Sequence, residues 1–149
     1  MQIVTRKVSS GAPAVADPLI ERLYLSRGVT QIGETQKNLQ ALLSPLDLID
    51  IEKAAARLAD AVTAQEKIVI VGDYDADGAT SVALCTLALA AMGAEQVGFL
   101  VPDRFRFGYG LSTEIVALAR LKSPDLIVTV DNGIASVQGV ASANAAGMD

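Results

Sequence analysis

Histidine is absent from the 149-residue sequence, and this absence narrows the chemistry that these residues can perform. Without an imidazole they cannot carry out Ser-His or Cys-His nucleophilic catalysis, and any metal site among them must use other ligands. Cysteine is scarce as well: Cys85 is the single one, which excludes a disulfide framework. It lies in an apolar stretch that predicts a helix, and we therefore interpret it as a buried structural thiol rather than a nucleophile.

Long hydrophobic runs are also missing. No apolar stretch reaches the roughly 18 residues that a membrane-spanning helix needs, and the N-terminus has no secretory pattern. We therefore expect a cytoplasmic protein without a membrane partner. The formal net charge is −5, so the overall charge balance gives no support to nucleic-acid binding. Apolar residues make up 51% of the chain, which is typical of a globular protein with a sizeable core.

The chain up to residue 66 carries helical patterns. Residues 1–16 have little periodicity and contain serine, glycine and proline, so we predict a flexible arm. An all-helical N-terminal segment is predicted over residues 17–66. Its three expected helices cover residues 18–28 (capped by Asp17, with Pro18 first), 35–43 (ended by Pro45) and 51–64 (capped by Asp50). The third should bury an apolar face that includes Ala55 and Leu58.

From residue 67 onward, short apolar β-forming stretches alternate with helical stretches. The predicted strands cover residues 68–71, 97–101 and 126–130, and the predicted helices cover residues 79–92, 112–121 and 135–146. This alternation predicts an α/β fold with a parallel sheet and flanking helices. Helix 79–92 is apolar on most sides, so we expect it to be deeply buried. Residues 148 and 149 stand where a fourth strand should begin, and we therefore expect residues 67–149 to be the first part of an incomplete domain.

Three aspartates at alternate positions follow the first predicted strand: Asp73, Asp75 and Asp77. Alternate side chains of an extended segment point the same way, and each like-charge pair at about 4 Å would cost roughly 4 kcal/mol at an effective dielectric near 20. A cation among the carboxylates, or a proton on one of them, relieves that repulsion. Asp131 follows the third strand, at the same expected edge of the sheet. Oxygen ligands alone favour Mg²⁺ or Mn²⁺ over Zn²⁺.

Other interpretations of the aspartates explain less. Asp73, Asp75, Asp77 and Gly78 match a calcium-binding loop, but its last ligand position is Leu84 and a strand precedes the loop, so we reject it. A phosphoaspartyl site, as in a phosphatase or a receiver-like signalling module, would use Asp73 and Asp75 but gives no role to the third aspartate. Capping of a turn or helix is the better explanation for any one aspartate alone, but it is a poor explanation for all four aspartates together.

The stretch 102–111 (PDRFRFGYGL) also leaves the end of a predicted strand. Its arginines, Arg104 and Arg106, can fork onto phosphates, and an aromatic between glycines, such as Tyr109, can present its face to a base. Alternatively, Phe105 and Phe107 belong to the core and the arginines are solvated. The stretch alone leaves both interpretations open, and a neighbouring metal site favours the phosphate.

Residues 72–81 (GDYDADGATS) closely resemble the first motif of the DHH family of phosphoesterases. Residues 102–111 and 130–134 (VDNGI) resemble its next conserved loop and its second acidic motif, within the branch of bacterial single-strand-specific 5′→3′ exonucleases. The resemblance implies a Rossmann-like domain in which Asp75 and Asp77 are metal ligands and Asp131 bridges two Mn²⁺ or Mg²⁺ ions. Asp73 would support the metals and complete a catalytic set of four aspartates, while Arg104 and Tyr109 would bind the DNA strand.

The implied activity is two-metal hydrolysis of single-stranded DNA in DNA repair and recombination. A single-strand-binding protein and a helicase are the implied partners. The Asp-His-His motif is absent, and in the family it lies just beyond residue 149, so we expect this fragment to hold metal weakly, to be inactive, and to self-associate through an exposed sheet edge. The alternatives are a DHH phosphodiesterase for oligonucleotides or cyclic dinucleotides, and a non-catalytic DHH-type scaffold.

Overall fold

The computed structural model describes residues 17–149, and the predicted arm over residues 1–16 lies outside the described residues. The chain divides into two compact units, with the boundary between Ile51 and Glu52. Among the described residues, no helix combines the length and apolar character required to cross a membrane.

The described part of the first unit is helical but irregular. Helix α1 (Pro18–Leu25) begins as predicted, because the side chain of Asp17 accepts hydrogen bonds from the backbone N–H groups of Leu19 and Ile20. It ends earlier than predicted, at Leu25. The predicted helix 35–43 is absent, and short 3₁₀ turns occupy this region: Ile32–Thr35, Leu39–Ala41 and Pro45–Asp47. Local bonds such as the one from the Ala41 N–H to the Asn38 side chain compete with a continuous helix.

Helix α2 (Ile51–Thr63) was predicted to belong to the helical N-terminal segment, but all of it after Ile51 lies in the second unit. It packs with this unit because Ala61 is fully buried against a core that includes Ile68 and Ile70. Ala55, which was predicted to be buried, is exposed. Asp50 has a left-handed φ of 59° rather than the extended backbone typical of an N-cap.

A three-stranded parallel sheet forms the centre of this unit, as predicted. Its order is β2 (Val97–Leu100), β1 (Ile68–Val71), β3 (Leu126–Thr129), so β1 is the middle strand. In register, Ile68 lies beside Val97 and beside Leu126. The main helices that follow the strands are α3 (Ala76–Ala91), α5 (Thr113–Arg120) and α6 (Val137–Ala145), and the short α4 (Arg104–Phe107) precedes α5.

The side chains of β1 divide between two cores because successive residues of a strand face opposite sides of the sheet. Ile68 and Ile70 pack with residues of α2 and α3. Val69 and Val71 pack on the other face with residues of α5 and α6. The strand is buried along its whole length, which explains why its sequence is entirely apolar.

Helix α3 is less buried than predicted. Only one side of it contacts the core, through Val82 and Leu89, whereas Leu84, Leu87 and Met92 are exposed. Cys85 is half-buried and packs against the core on the α2 side of the sheet. The helix is thus apolar on most sides but buried on only one of them, and the prediction of deep burial was wrong.

The end of the chain lies along the outer edge of β3. The Asp149 N–H donates to the carbonyl of Asp125 at 3.0 Å, and the Ile127 N–H donates to the carbonyl of Asp149 at 2.7 Å. Met148 is buried in the core on the α5 and α6 side. The two bonds follow the pattern of parallel pairing, but the described sheet has three strands, and the fourth strand expected from residue 148 stays a prediction.

Helix α6 approaches the chain before α5 so closely that a side chain at Gly139 would overlap the carbonyl group of Leu111. We expect Gly139→Ala to destabilise the protein by about 1–3 kcal/mol through overpacking, although alanine is favoured over glycine within helices by about 1 kcal/mol. Urea unfolding measures the difference. Gly98→Ala is the control, because its added Cβ meets only Val69 Cγ2, at 3.9 Å. Equal stability of the two variants would contradict the close approach.

Candidate metal centre

The carboxyl ends of β1 and β3 deliver aspartates to the same edge of the sheet. Val71 pairs with Thr129 in register, and the Val130 N–H donates to the carbonyl of Val71 at 3.0 Å. Asp73 lies two residues after Val71, and Asp131 lies two residues after Thr129. The parallel pairing of the strands thus places them near each other, as predicted from the order of strands and aspartates.

Glycines allow the start of α3 to approach the end of β1. A side chain at Gly72 would overlap Val82, and one at Gly78 would overlap the backbone of Asp73. Asp75 lies between them as the N-cap of α3, and its Oδ1 accepts a hydrogen bond from the Gly78 N–H at 3.1 Å. This bond holds the carboxylate of Asp75 over the first turn of the helix.

Carboxylate oxygens of Asp73, Asp75 and Asp131 lie within 4.8 Å of one another. We call these three residues the acidic cluster. Its composition differs from the predicted ligand set, because in the described chain Asp77 is not part of this group. Asp75 is extended, whereas Asp77 is already in the first turn of α3, so the two-residue alternation of side chains stops between them. Asp77 is still near enough for its charge to act on Asp131.

The electrostatics of the cluster favour a cation or a proton. Reduced hydration, followed by the negative charge of Asp75 and a hydrogen bond with it, raises the pKa of Asp131 above its ordinary value. The charges of Asp77 and Asp73 raise it further. The folded chain therefore binds a proton at Asp131 more tightly than an isolated aspartate would.

The turn after Asp131 is constrained by its neighbours. Asp131 has a φ of 59°, and a side chain at Gly133, which has a φ of 119°, would overlap Thr129. The Asn132 amide donates to the carbonyl of Val71 at 3.1 Å and to that of Val130 at 2.9 Å. Asn132 thus ties the ends of the two strands together.

The 102–111 stretch brings Arg104 to the cluster. Asp103 caps α4 by accepting a hydrogen bond from the Phe105 N–H, and Arg104 forms an ion pair with Asp73. The Arg104 guanidinium also lies 4.3 Å from the ring centroid of Tyr74 and 5.2 Å from that of Tyr109. The sequence analysis did not predict the contact of Arg104 with Tyr74. The position of Tyr74 between Asp73 and Asp75 was the one sign that this ring would lie at the cluster.

The other aromatic and basic residues of this stretch have different surroundings. The Tyr109 hydroxyl donates to the backbone carbonyl of Asp131 at 2.5 Å. Phe107 packs against the core, whereas Phe105 is 99% exposed. The guanidinium of Arg106 lies 5.2 Å from the ring centroid of Phe107. Phe107 thus agrees with the core interpretation and Phe105 does not, while phosphate binding by Arg104 and Arg106 stays a prediction.

A cleft of about 530 Å³ opens beside the cluster. It lies between the starts of α5 and α6, and Tyr109, Asn132 and Ser136 are among its lining residues. The three aspartates of the cluster do not line this cleft, which reaches Asp131 only through its chain neighbour Asn132 and through Tyr109.

Comparison with known protein families matches residues 67–149 to the DHH family, N-terminal domain. The matched part is more than half of the chain and contains the whole acidic cluster. The chain belongs to the DHH family.

Two solved structures to which this chain is similar contain manganese. The crystal structure of exonuclease RecJ bound to manganese has a TM-score of 0.63 and 37% identity, over 72% of this chain and 28% of that one. The crystal structure of RecJ from Thermus thermophilus in complex with Mn²⁺ has a TM-score of 0.59 and 32% identity, over 85% of this chain and 17% of that one.

The curated relatives are longer than this chain. The single-stranded-DNA-specific exonuclease RecJ of Dickeya dadantii (strain 3937) is 52% identical over 130 residues, which are 87% of this chain and 23% of that protein. The chain spans about a quarter of the length of the curated relatives it matches.

The raised pKa of Asp131 predicts how its replacement affects stability. Asp131→Asn removes one charge from the cluster, so it should raise the midpoint of thermal unfolding of the metal-free protein at neutral pH. Because the folded state raises this pKa, wild-type stability gains from protonation as the pH falls through the raised value, and the difference between the two proteins should shrink.

Thermal unfolding in EDTA, from neutral pH down to about pH 4, measures this difference. Asp60→Asn, on α2 outside the cluster, is the control for the substitution itself. A stability difference for Asp131→Asn that does not change with pH would contradict a charge effect.

Proposed function

We propose that this chain is part of a metal-dependent nuclease that hydrolyses phosphodiester bonds of single-stranded DNA. The observation that carries the proposal is the ion pair of Arg104 with Asp73, whose carboxylate lies within 4.8 Å of those of Asp75 and Asp131. Carboxylates suit divalent cations and arginine suits phosphate, so together they suit a metal-assisted phosphoryl reaction. The printed names of its relatives, exonucleases specific for single-stranded DNA, support the same substrate.

The donor set fits Mn²⁺ or Mg²⁺. The cluster offers carboxylate oxygens, which are hard ligands, and the raised pKa of Asp131 supports a preference of these carboxylates for a positive partner. We assign Asp75, Asp77 and Asp131 as the metal-holding residues; the charge of Asp77 acts on Asp131 from the first turn of α3. When bound, two such ions would activate a water and offset charge on the attacking and leaving oxygens.

The chain's own residues would bind and orient the strand. Arg104 projects a guanidinium toward the cluster and can donate to phosphate oxygens. The rings of Tyr74 and Tyr109 are exposed beside it, and Phe105 is exposed on α4. Aromatic faces stack on unpaired bases, whereas the bases of a duplex already stack on each other, so these rings favour a single strand. The 5′→3′ direction and the role in DNA repair and recombination rest on the family resemblance.

Replacement of the metal-holding residues tests the nuclease directly. Asp75→Ala and Asp131→Ala, made separately in the full gene product, should each lower Mn²⁺-dependent cleavage of a long single-stranded oligonucleotide by about 100-fold or more. Asp60→Ala is the matched control. Thermal unfolding should show that the variants still fold.

Wild-type activity in either aspartate variant would remove that residue from the site. Preferential cleavage of dinucleotides over long strands by the wild-type protein would redirect the proposal to a phosphodiesterase for short oligonucleotides.

Salt dependence tests the role of Arg104. Arg104→Ala should weaken binding of a single strand more at low salt than at high salt, and lower the slope of log K against log salt concentration by about one, because one phosphate contact is lost. Fluorescence anisotropy measures the binding. Arg106→Ala is the control, because its guanidinium lies at Phe107 rather than at the cluster. A loss of affinity that is independent of salt would instead assign Arg104 a packing role.

A further inference from the structure

Asp73 differs from the other members of the acidic cluster because both of its carboxylate oxygens have donors. Oδ1 accepts the N–H of Tyr74 at 2.9 Å, and Oδ2 accepts Nη2 of Arg104 in the ion pair. Asp73 is also the buried member, with 6% of its surface exposed, whereas Asp75 and Asp131 are exposed. Its buried carboxylate is therefore paired with a permanent cation, the half-buried guanidinium of Arg104.

Arg104 is restrained by its other neighbours as well. Its guanidinium contacts the rings of Tyr74 and Tyr109, and the hydroxyl of Tyr109 is bound to the backbone of Asp131. Its Nε is buried and has no hydrogen-bond partner among the described residues. A long side chain that would otherwise sample many rotamers is thus confined at the edge of the cluster.

This arrangement disfavours Asp73 as a metal ligand, although distance alone includes it in the cluster. A divalent cation on Asp73 would lie close to the guanidinium of Arg104, and like charges at such a separation repel strongly. Asp75 and Asp131 carry no ion pair in the described chain, so their charges are the ones left for a cation.

We propose that Asp73 and Tyr74 are positioning residues, which hold Arg104 in place to receive a phosphate group of the strand, and that Asp73 does not bind the metal. The identity of the phosphate ligand rests on the proposed function. The restraint of Arg104 does not, and it can be measured separately.

A double-mutant cycle tests the coupling of Asp73 to Arg104. Anisotropy with a fluorescent oligothymidylate in EDTA gives the affinities of Asp73→Asn, Arg104→Ala and the double variant of the full gene product. Asp73→Asn should weaken binding roughly tenfold, because the charged partner of Arg104 is lost. The double variant should bind no more weakly than Arg104→Ala, within about twofold. Multiplied losses would overturn the proposal, because Asp73 would then act independently of Arg104.

A metal titration separates positioning from ligation. The readout is the Mn²⁺ concentration that gives half of the maximal thermal stabilisation. It should stay within about twofold of wild type in Asp73→Asn, and rise by roughly tenfold or more in Asp75→Asn. An equal rise in both variants would overturn the proposal by making Asp73 a ligand.

A nuclear magnetic resonance measurement examines the restraint itself. The buried Nε–H of Arg104, assigned by its loss in Arg104→Lys, should exchange slowly with water in the wild-type protein. Protection should be lost in Asp73→Asn and in Tyr74→Ala, and kept in Tyr74→Phe, which retains the ring. Unchanged protection in Asp73→Asn and Tyr74→Ala would overturn the proposal. If the wild-type protein binds neither Mn²⁺ nor the oligonucleotide, the proposed function fails, whereas this measurement still decides the restraint.

Discussion

Parallel pairing between β1 and β3 is the constraint on which the acidic cluster depends. The pairing sets the ends of the two strands level with each other, and the residues that follow them are acidic. Asn132 reinforces the pairing by donating to the carbonyl of Val71 in β1 and to that of Val130, which directly follows β3. If one strand were shifted by one residue relative to the other, its aspartate would point to a different side of the sheet, because the side chains of a strand alternate between its faces.

The cluster is tolerated because its charge is partly compensated within the chain. Arg104 pairs with the buried Asp73, which leaves Asp75 and Asp131 with a repulsion that raises the pKa of Asp131. A protein without a use for this site would gain stability by replacing one of these acids with a neutral residue. The proposed metal and phosphate would offset the charges of the crowded carboxylates and of the arginine.

Sequence patterns predicted the α/β class, the strand β1 with its exact bounds, and the meeting of Asp73, Asp75 and Asp131. These features follow from local periodicity and from the geometry of a parallel sheet. The start of α3 was missed because three alternating aspartates suggest a continuous extended segment, whereas Asp75 caps the helix and Asp77 already lies in it. The contacts of Arg104 with Asp73 and Tyr74 could not be predicted, since they join residues about 30 positions apart through the conformation of a loop.

The close approach of α3 to β1 at Gly72 and Gly78 limits how far the carboxylates of this site can be repositioned by sequence changes. Any change in the spacing of Asp75 from the sheet would require displacement of a 16-residue helix together with its core contacts. The 102–111 stretch carries no such restriction at Phe105, whose side chain is almost entirely in solvent. Differences in ligand preference between related proteins would therefore accumulate most easily on this stretch, while the carboxylate framework stays constant.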